Sequence, residues 1–99
     1  MTVDQSTNQW IWAEPIEDRY VVNLGDLISM WTNNTYRSTL HRVINISGGE
    51  RYSVPFFYSG NHQYQIECIR ECLEENSEPL YPPISVEQHY RDMFKKTYN

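Results

Sequence analysis

Clustered positive charge is what this sequence most plainly lacks. Eight Lys and Arg stand against thirteen Asp and Glu, a net charge of −5, and no basic cluster stands out. Phosphate neutralisation needs grouped cations, so nucleic acid is not expected as a partner. Long hydrophobic runs are missing too. No apolar stretch approaches the roughly 20 residues that a membrane helix needs, so no membrane partner is expected either. The opening MTVDQSTNQWIWAEP has no basic segment followed by an apolar run. It does not read as a secretory signal, and the expected compartment is cytoplasmic. Cysteine is scarce, with only Cys68 and Cys72 in CIREC. Two cysteines do not make a disulfide framework, and zinc would need two more ligands. They read as reduced thiols on a loop or short helix. The sequons at Asn33 and Asn45 carry no weight without a secretory signal.

What is present is apolar and aromatic enough for a core. Hydrophobic residues make up 39% and aromatics 14% of 99 residues, which argues against a disordered tail. The length bounds the chain at one domain. A domain this size buries only roughly 60–65% of the surface it exposes when unfolded, so its stability is expected to be marginal.

Short aromatic and β-branched runs at Trp10–Trp12 and Tyr20–Leu24 predict two strands joined by a turn through Pro15 to Asp18. Leu27, Ile28, Met30 and Trp31 predict a helical turn ending at Asn33-Asn34. STLHRVINI (38–46) and RYSVPFFYS (51–59) are strand candidates separated by the turn signal Ser47-Gly48-Gly49-Glu50. Pro55 removes one ladder donor from the second. Residues 67–84 form an acidic, proline-containing linker. From Ser85 the spacing of Val86, Tyr90, Met93 and Phe94 predicts a C-terminal helix over 85–99, with Ser85 and Gln88 placed as in a capping box. The pattern is a mainly β chain, a piece of an antiparallel sandwich or barrel with one terminal helix.

His41, taken alone, reads as a structural residue in a β-branched strand. His62 and His89 read as solvated. Arg51 and Ser53 lie two apart, so in a strand they share a face that continues through Pro55 and Phe57. A guanidinium grips a carboxylate bidentately, and a hydroxyl two residues away adds a further bond, which suits a small dicarboxylate. Taken alone, Arg51 reads first as an arginine at a strand start, reaching solvent or paired with Glu50.

The combination carries more than its parts. NLGDLISMWTNNTYRSTLHRVIN followed by RYSVPFF resembles the C-terminal motif block of the iron(II)/2-oxoglutarate-dependent dioxygenases related to isopenicillin N synthase. The matched positions are Asn23, Gly25, Asp26, Thr32, Asn33, Ser38, His41, Arg42, Val43, Arg51 and Ser53. The likeness is strong from Gln9 to Phe57 and looser through YPPISVEQHY. It implies a double-stranded β-helix (jelly-roll), present here as a partial one in residues 1–66, with two facing sheets and the site between them. It implies Fe(II) held by two histidines and one carboxylate, with positions open for 2-oxoglutarate and oxygen. His41 matches the distal histidine ligand of the metal, and Arg51 and Ser53 match the residues that bind the distal carboxylate of 2-oxoglutarate. In a few oxidase members that pair holds the substrate carboxylate instead.

A tight hairpin about residues 47–50 would pair Ile46 with Arg51 and Ile44 with Ser53, turning His41 away from the arginine and serine. The resemblance therefore requires the turn to cross between sheets. The family's other two iron ligands come from a His-x-Asp motif, and no His-x-Asp occurs in these 99 residues. One imidazole does not hold iron(II) usefully. No catalytic acid, base or nucleophile is assigned.

Three readings follow. The chain is a fragment or truncated gene product of a dioxygenase that oxidises a small organic molecule in secondary metabolism, by hydroxylation, desaturation or cyclisation, and is inactive alone. Alternatively it is a non-catalytic remnant that binds a carboxylate or a protein through an open edge. In the third, edge-strand pairing with another chain supplies His-x-Asp and completes the site.

Overall fold

The computed structural model describes residues 1–98. It begins with a hairpin, β1 (Thr2–Asp4) against β2 (Gln9–Ile11), in antiparallel register Thr2 to Ile11, Val3 to Trp10 and Asp4 to Gln9. Its loop is built on Asp4, whose Oδ1 accepts from the backbone N–H and the hydroxyl of Ser6 at 2.8 and 2.6 Å. These two bonds, the hydroxyl's first, hold the Asp4 carboxyl below its ordinary pKa. Asn8 closes the loop with φ +56° and donates its N–H to the Asp4 carbonyl at 2.7 Å. Asparagine tolerates that left-handed conformation because its short amide finds local partners.

The helical turn anticipated near Leu27 is α1 (Asp26–Trp31). It stops at Thr32, and Asn33 and Asn34 follow at φ +51° and +63°. Two successive left-handed residues reverse the chain, so the Asn-Asn pair acts as the stop that its composition suggested. Two further strands, β3 (Gln65–Ile66) and β4 (Ile84–Ser85), form a separate two-stranded antiparallel sheet.

The last element, α2 (Val86–Tyr98), follows β4 directly. The Ser85 hydroxyl accepts the Gln88 N–H at 3.1 Å, the expected N-cap. The reciprocal half of the box does not form. The Gln88 side chain donates to Asp92 Oδ1 instead, at 2.8 Å. The first helical amides are taken by the preceding loop: Val86 donates to the Tyr64 carbonyl and Glu87 to that of His62, at 3.0 and 2.9 Å. Those bonds satisfy donors that a helix start leaves open.

The fold differs from the expected mainly β outline. What stands is two small sheets and the C-terminal helix, and no jelly-roll is formed. Trp10 and Ile11 are in a strand, but their partner is the unanticipated β1 rather than Tyr20–Leu24. Residues 20–24, 43–46 and 51–59 form no strand. The reason is pairing: β-branched and aromatic residues favour a strand only where a neighbour offers ladder partners and side-chain cover. Here Tyr20 is 96% and Val54 is 94% exposed.

Apolar burial is concentrated elsewhere. Among the described residues Ile66 on β3 and Val86 on α2 are the buried apolar ones, and Trp31 packs edge-on against Tyr64 at 6.1 Å between centroids. The radius of gyration is 16.4 Å, against about 13 Å for a compact domain of this length. Among the described residues no helix is long and apolar enough to cross a membrane.

Candidate functional site

His41 is placed by β1. Thr2 and His41 form an antiparallel bridge, flanked by Val3 N–H donating to the Leu40 carbonyl and Arg42 N–H donating to the Met1 carbonyl, both at 3.0 Å. The short stretch 40–42 thus adds a third row to the hairpin, on the edge of β1 away from β2. Side chains alternate along each strand, so His41 shares a face with Thr2 and Ile11, while Val3, Trp10 and Arg42 lie on the other.

The imidazole itself is exposed, and its Nδ1 lies 3.1 Å from the Thr39 carbonyl oxygen. A carbonyl only accepts, so Nδ1 is the donor in this contact, and in the neutral ring that leaves Nε2 as the acceptor nitrogen. A histidine fixed in that way presents Nε2 as a donor atom for a metal, the usual arrangement when a backbone carbonyl orients a ligand. The chemistry of His41 therefore fits one coordination position.

The rest of a metal centre is a different matter. Among the described residues no group of three His, Cys, Asp or Glu side chains converges. A facial triad needs three such donors held together. By themselves, the residues present do not fit the ion.

Arg51 and Ser53 are both exposed, and no hydrogen bond or ion pair among the described residues uses either side chain. The alternative pairing of Arg51 with Glu50 does not form. Glu50 accepts instead from the Tyr52 hydroxyl at 3.1 Å. The guanidinium fork is open to a carboxylate. The 47–50 turn is built from Asn45, whose Oδ1 accepts the Ser47 N–H and hydroxyl and whose Nδ2 donates to the Gly49 carbonyl at 2.7 Å. Gly48 has φ +74°, which glycine adopts without a Cβ penalty. No ladder joins Ile46 to Arg51 or Ile44 to Ser53. The hairpin that would have set His41 against Arg51 and Ser53 is absent.

Two hollows lie elsewhere. One of about 520 Å³, mainly apolar, lies between α1 and α2 and is edged by Phe57, Ile28, Trp31, Tyr64 and Val86. The other, about 710 Å³, is bounded by Asp26, Ser29, Arg37, His89 and Lys96 among others. His41, Arg51 and Ser53 line neither. Cys68 and Cys72 are half-buried free thiols, with Cys72 ending a single 3₁₀ turn at Arg70–Cys72. His62 and His89 flank Tyr90, at 6.1 and 5.6 Å between ring centroids.

A polar hub at the end of α1 has no signature in the sequence. Ser29 and Thr32 are buried, and both hydroxyls are satisfied. Thr32 Oγ1 donates to the Ile28 carbonyl at 2.7 Å and accepts the Tyr36 N–H at 3.2 Å. Ser29 Oγ accepts the Ser38 N–H at 3.0 Å and donates to Asn34 Oδ1 at 3.3 Å. Asn33 and Asn34 in turn accept from the Leu80 N–H and the Tyr81 hydroxyl, at 2.9 and 3.0 Å. Thr32, Asn33 and Ser38 stood in the sequence as motif positions and Asn33-Asn34 as a helix stop, with no sign that they form one hub.

The 2-oxoglutarate-Fe(II) type oxidoreductase hxnY of Emericella nidulans is 46% identical over 96 residues, 97% of this chain and 28% of its own. A 2-oxoglutarate-Fe(II) type oxidoreductase of Aspergillus fumigatus is 42% identical over 86 residues, 87% of this chain and 26% of its own. Clavatol oxidase claD of Penicillium crustosum is 38% identical over 95 residues, 96% of this chain and 28% of its own. The chain spans little more than a quarter of the length of these curated relatives. No solved structure gives a significant match. The family model of the 2OG-Fe(II) oxygenase superfamily matches residues 1–60, which include His41, Arg51 and Ser53. On that match, with relatives similar along nearly its whole length, the chain belongs to the 2OG-Fe(II) oxygenase superfamily.

Proposed function

We propose that this chain is the C-terminal portion of the catalytic core of an iron(II)/2-oxoglutarate-dependent dioxygenase that oxidises a small organic molecule. His41 supplies one metal ligand, and Arg51 with Ser53 grips the distal carboxylate of 2-oxoglutarate. The observation that carries the reading is the state of these side chains. Nδ1 of His41 faces the Thr39 carbonyl, which in the neutral ring leaves Nε2 for a metal, and among the described residues the Arg51 fork has no carboxylate partner. The oxidoreductase and oxidase names of the relatives support the reaction class.

In this reading residues 1–66 belong to a double-stranded β-helix whose remaining strands, and whose His-x-Asp donors, lie in polypeptide outside these 99 residues. Residues 67–84 link that core to the terminal helix at 85–99. The exposed runs at Tyr20–Leu24 and Arg51–Tyr58 are strands awaiting ladder partners, and their solvent exposure supports this. Bound iron(II) supplies oxygen activation in such enzymes. This chain's part is to offer one imidazole and to anchor the cosubstrate. The setting is cytoplasmic small-molecule metabolism, including secondary metabolism.

Iron content and 2-oxoglutarate turnover test the reading. The isolated chain is expected to bind no stoichiometric iron and release no succinate. Covalent or added polypeptide carrying His-x-Asp and the missing strands is expected to restore both, and His41→Ala to abolish them again. Stoichiometric iron and turnover by the isolated chain overturns it.

A second reading is favoured by the exposed segment Tyr52–Tyr58: a non-catalytic module that pairs this edge with another protein. It predicts a stable 99-residue protein that never acquires iron, whatever polypeptide is added.

A further inference from the structure

We propose that Ser29 is a positioning residue for His41, acting through the backbone of Ser38 and braced by Asn34 and Tyr81. The proposal rests on the reading of His41 as a metal ligand, but its geometry stands on this chain alone.

Ser38, Thr39, Leu40 and Arg42 are each tethered around His41, and the tethers are of two kinds. Most come from the N-terminal hairpin and lie in solvent. Gln5 Nε2 donates to the Ser38 carbonyl at 3.1 Å and to the Thr39 hydroxyl at 3.3 Å, and the Thr2 hydroxyl donates to the Leu40 carbonyl at 3.3 Å. Water competes for every one of these bonds, so each fixes little. One tether is shielded. The Ser38 N–H donates to the hydroxyl of Ser29, which is only 8% exposed. There water cannot readily replace a lost partner, and the bond holds its geometry.

The hydroxyl is itself held from behind. It donates to Asn34 Oδ1, and the same oxygen accepts the Tyr81 hydroxyl at 3.0 Å. Asn34 is fixed by its own N–H to the Ser29 carbonyl at 2.8 Å. A continuous polar path therefore runs from Tyr81, just ahead of β4, through Asn34 and Ser29 to the amide three residues before His41. Half of the buried residues in the described chain, Ser29 and Thr32, serve this corner rather than an apolar core. Buried, fully satisfied polar groups specify geometry more than they add stability.

The test is amide exchange on the full 99-residue chain, with the His41 ring signals followed by NMR. Ser29→Ala is expected to accelerate exchange at Ser38 and Arg42 by about tenfold and to shift the His41 ring resonances, while Ile66 and Val86 amides stay as protected as before. Ser29→Thr, which keeps the hydroxyl, is expected to restore the pattern. Tyr81→Phe removes only the brace and is expected to produce a smaller change at the same amides. It decides the matter if Ser29→Ala does not fold. Equal acceleration at all amides overturns the proposal, since a merely structural serine would loosen the whole chain. Unchanged Ser38 exchange and His41 resonances in the folded variants overturn it too. None of these readouts involves iron, so a failure of the dioxygenase reading leaves them standing and is seen separately in the metal-binding assay.

Discussion

The Arg42 guanidinium lies 4.1 Å from the centre of the Trp10 ring. Because Trp10 pairs with Val3 while His41 pairs with Thr2, this stack lies on the face of the hairpin opposite the imidazole. Adjacent residues in His41-Arg42 thus do different jobs. One presents a ring nitrogen, and the other clamps the added row of backbone onto the hairpin.

A cation over an indole at a partly exposed site contributes about 0.5–1 kcal/mol. Arg42→Ala and Trp10→Leu are each expected to weaken the 40–42 pairing, and the double variant to cost less than the sum by about that amount. A thermal double-mutant cycle measures it. Strict additivity would mean that the stack holds nothing.

Stability is expected to be concentrated around β3 and α2. Ile66→Ala removes one of the buried apolar side chains and is expected to cost about 2 kcal/mol or more. Val54→Ser, at 94% exposure, is expected to stay within about 0.5 kcal/mol. Denaturant midpoints compare the two. On the proposed function, the ranking is expected to change when further polypeptide supplies ladder partners and Val54 gains neighbours.

Acid is expected to loosen the N-terminal hairpin through Asp4. Its folded pKa is lowered, chiefly by the Ser6 hydroxyl and then by the Ser6 N–H. The stabilisation is fully present above the ordinary carboxylate value of about 4, and is lost as the pH falls below it through the depressed folded pKa. Asp4→Asn keeps an acceptor oxygen but does not titrate. NMR of the Ser6 amide is expected to show a pH-dependent loss in the parent and a flat profile in the variant.

In an assembled enzyme Arg51 is expected to govern cosubstrate affinity. Losing a charge-assisted bond costs about 1.5–3 kcal/mol, so Arg51→Ala is expected to raise the KM for 2-oxoglutarate by roughly 10- to 100-fold. Arg51→Lys keeps the charge but not the fork, and is expected to fall between. Ser53→Ala is expected to have the smaller effect. An unchanged KM in all three removes the pair from the cosubstrate site.

Much of this was legible in local chemistry. Asn33-Asn34 marked the end of α1, Ser85 marked the start of α2, and Ser47-Gly48-Gly49 marked a turn, because caps and turns are decided within a few residues. The alternation that put Arg51 and Ser53 on one strand face depends on a partner, and no partner is present here. β1 went unforeseen because Thr2–Asp4 is too short to carry a pattern.

The order of motifs was enough to place the family, since Ser38, His41, Arg42 and Val43 followed by Arg51 and Ser53 is a spacing of chemical groups that survives in the linear chain. The contact of His41 Nδ1 with the Thr39 carbonyl, the open fork of Arg51 and the Ser29 hub were decided only in three dimensions. Each depends on a carbonyl, a carboxylate or an amide brought near by folding, or kept away by it, and a sequence does not record such distances.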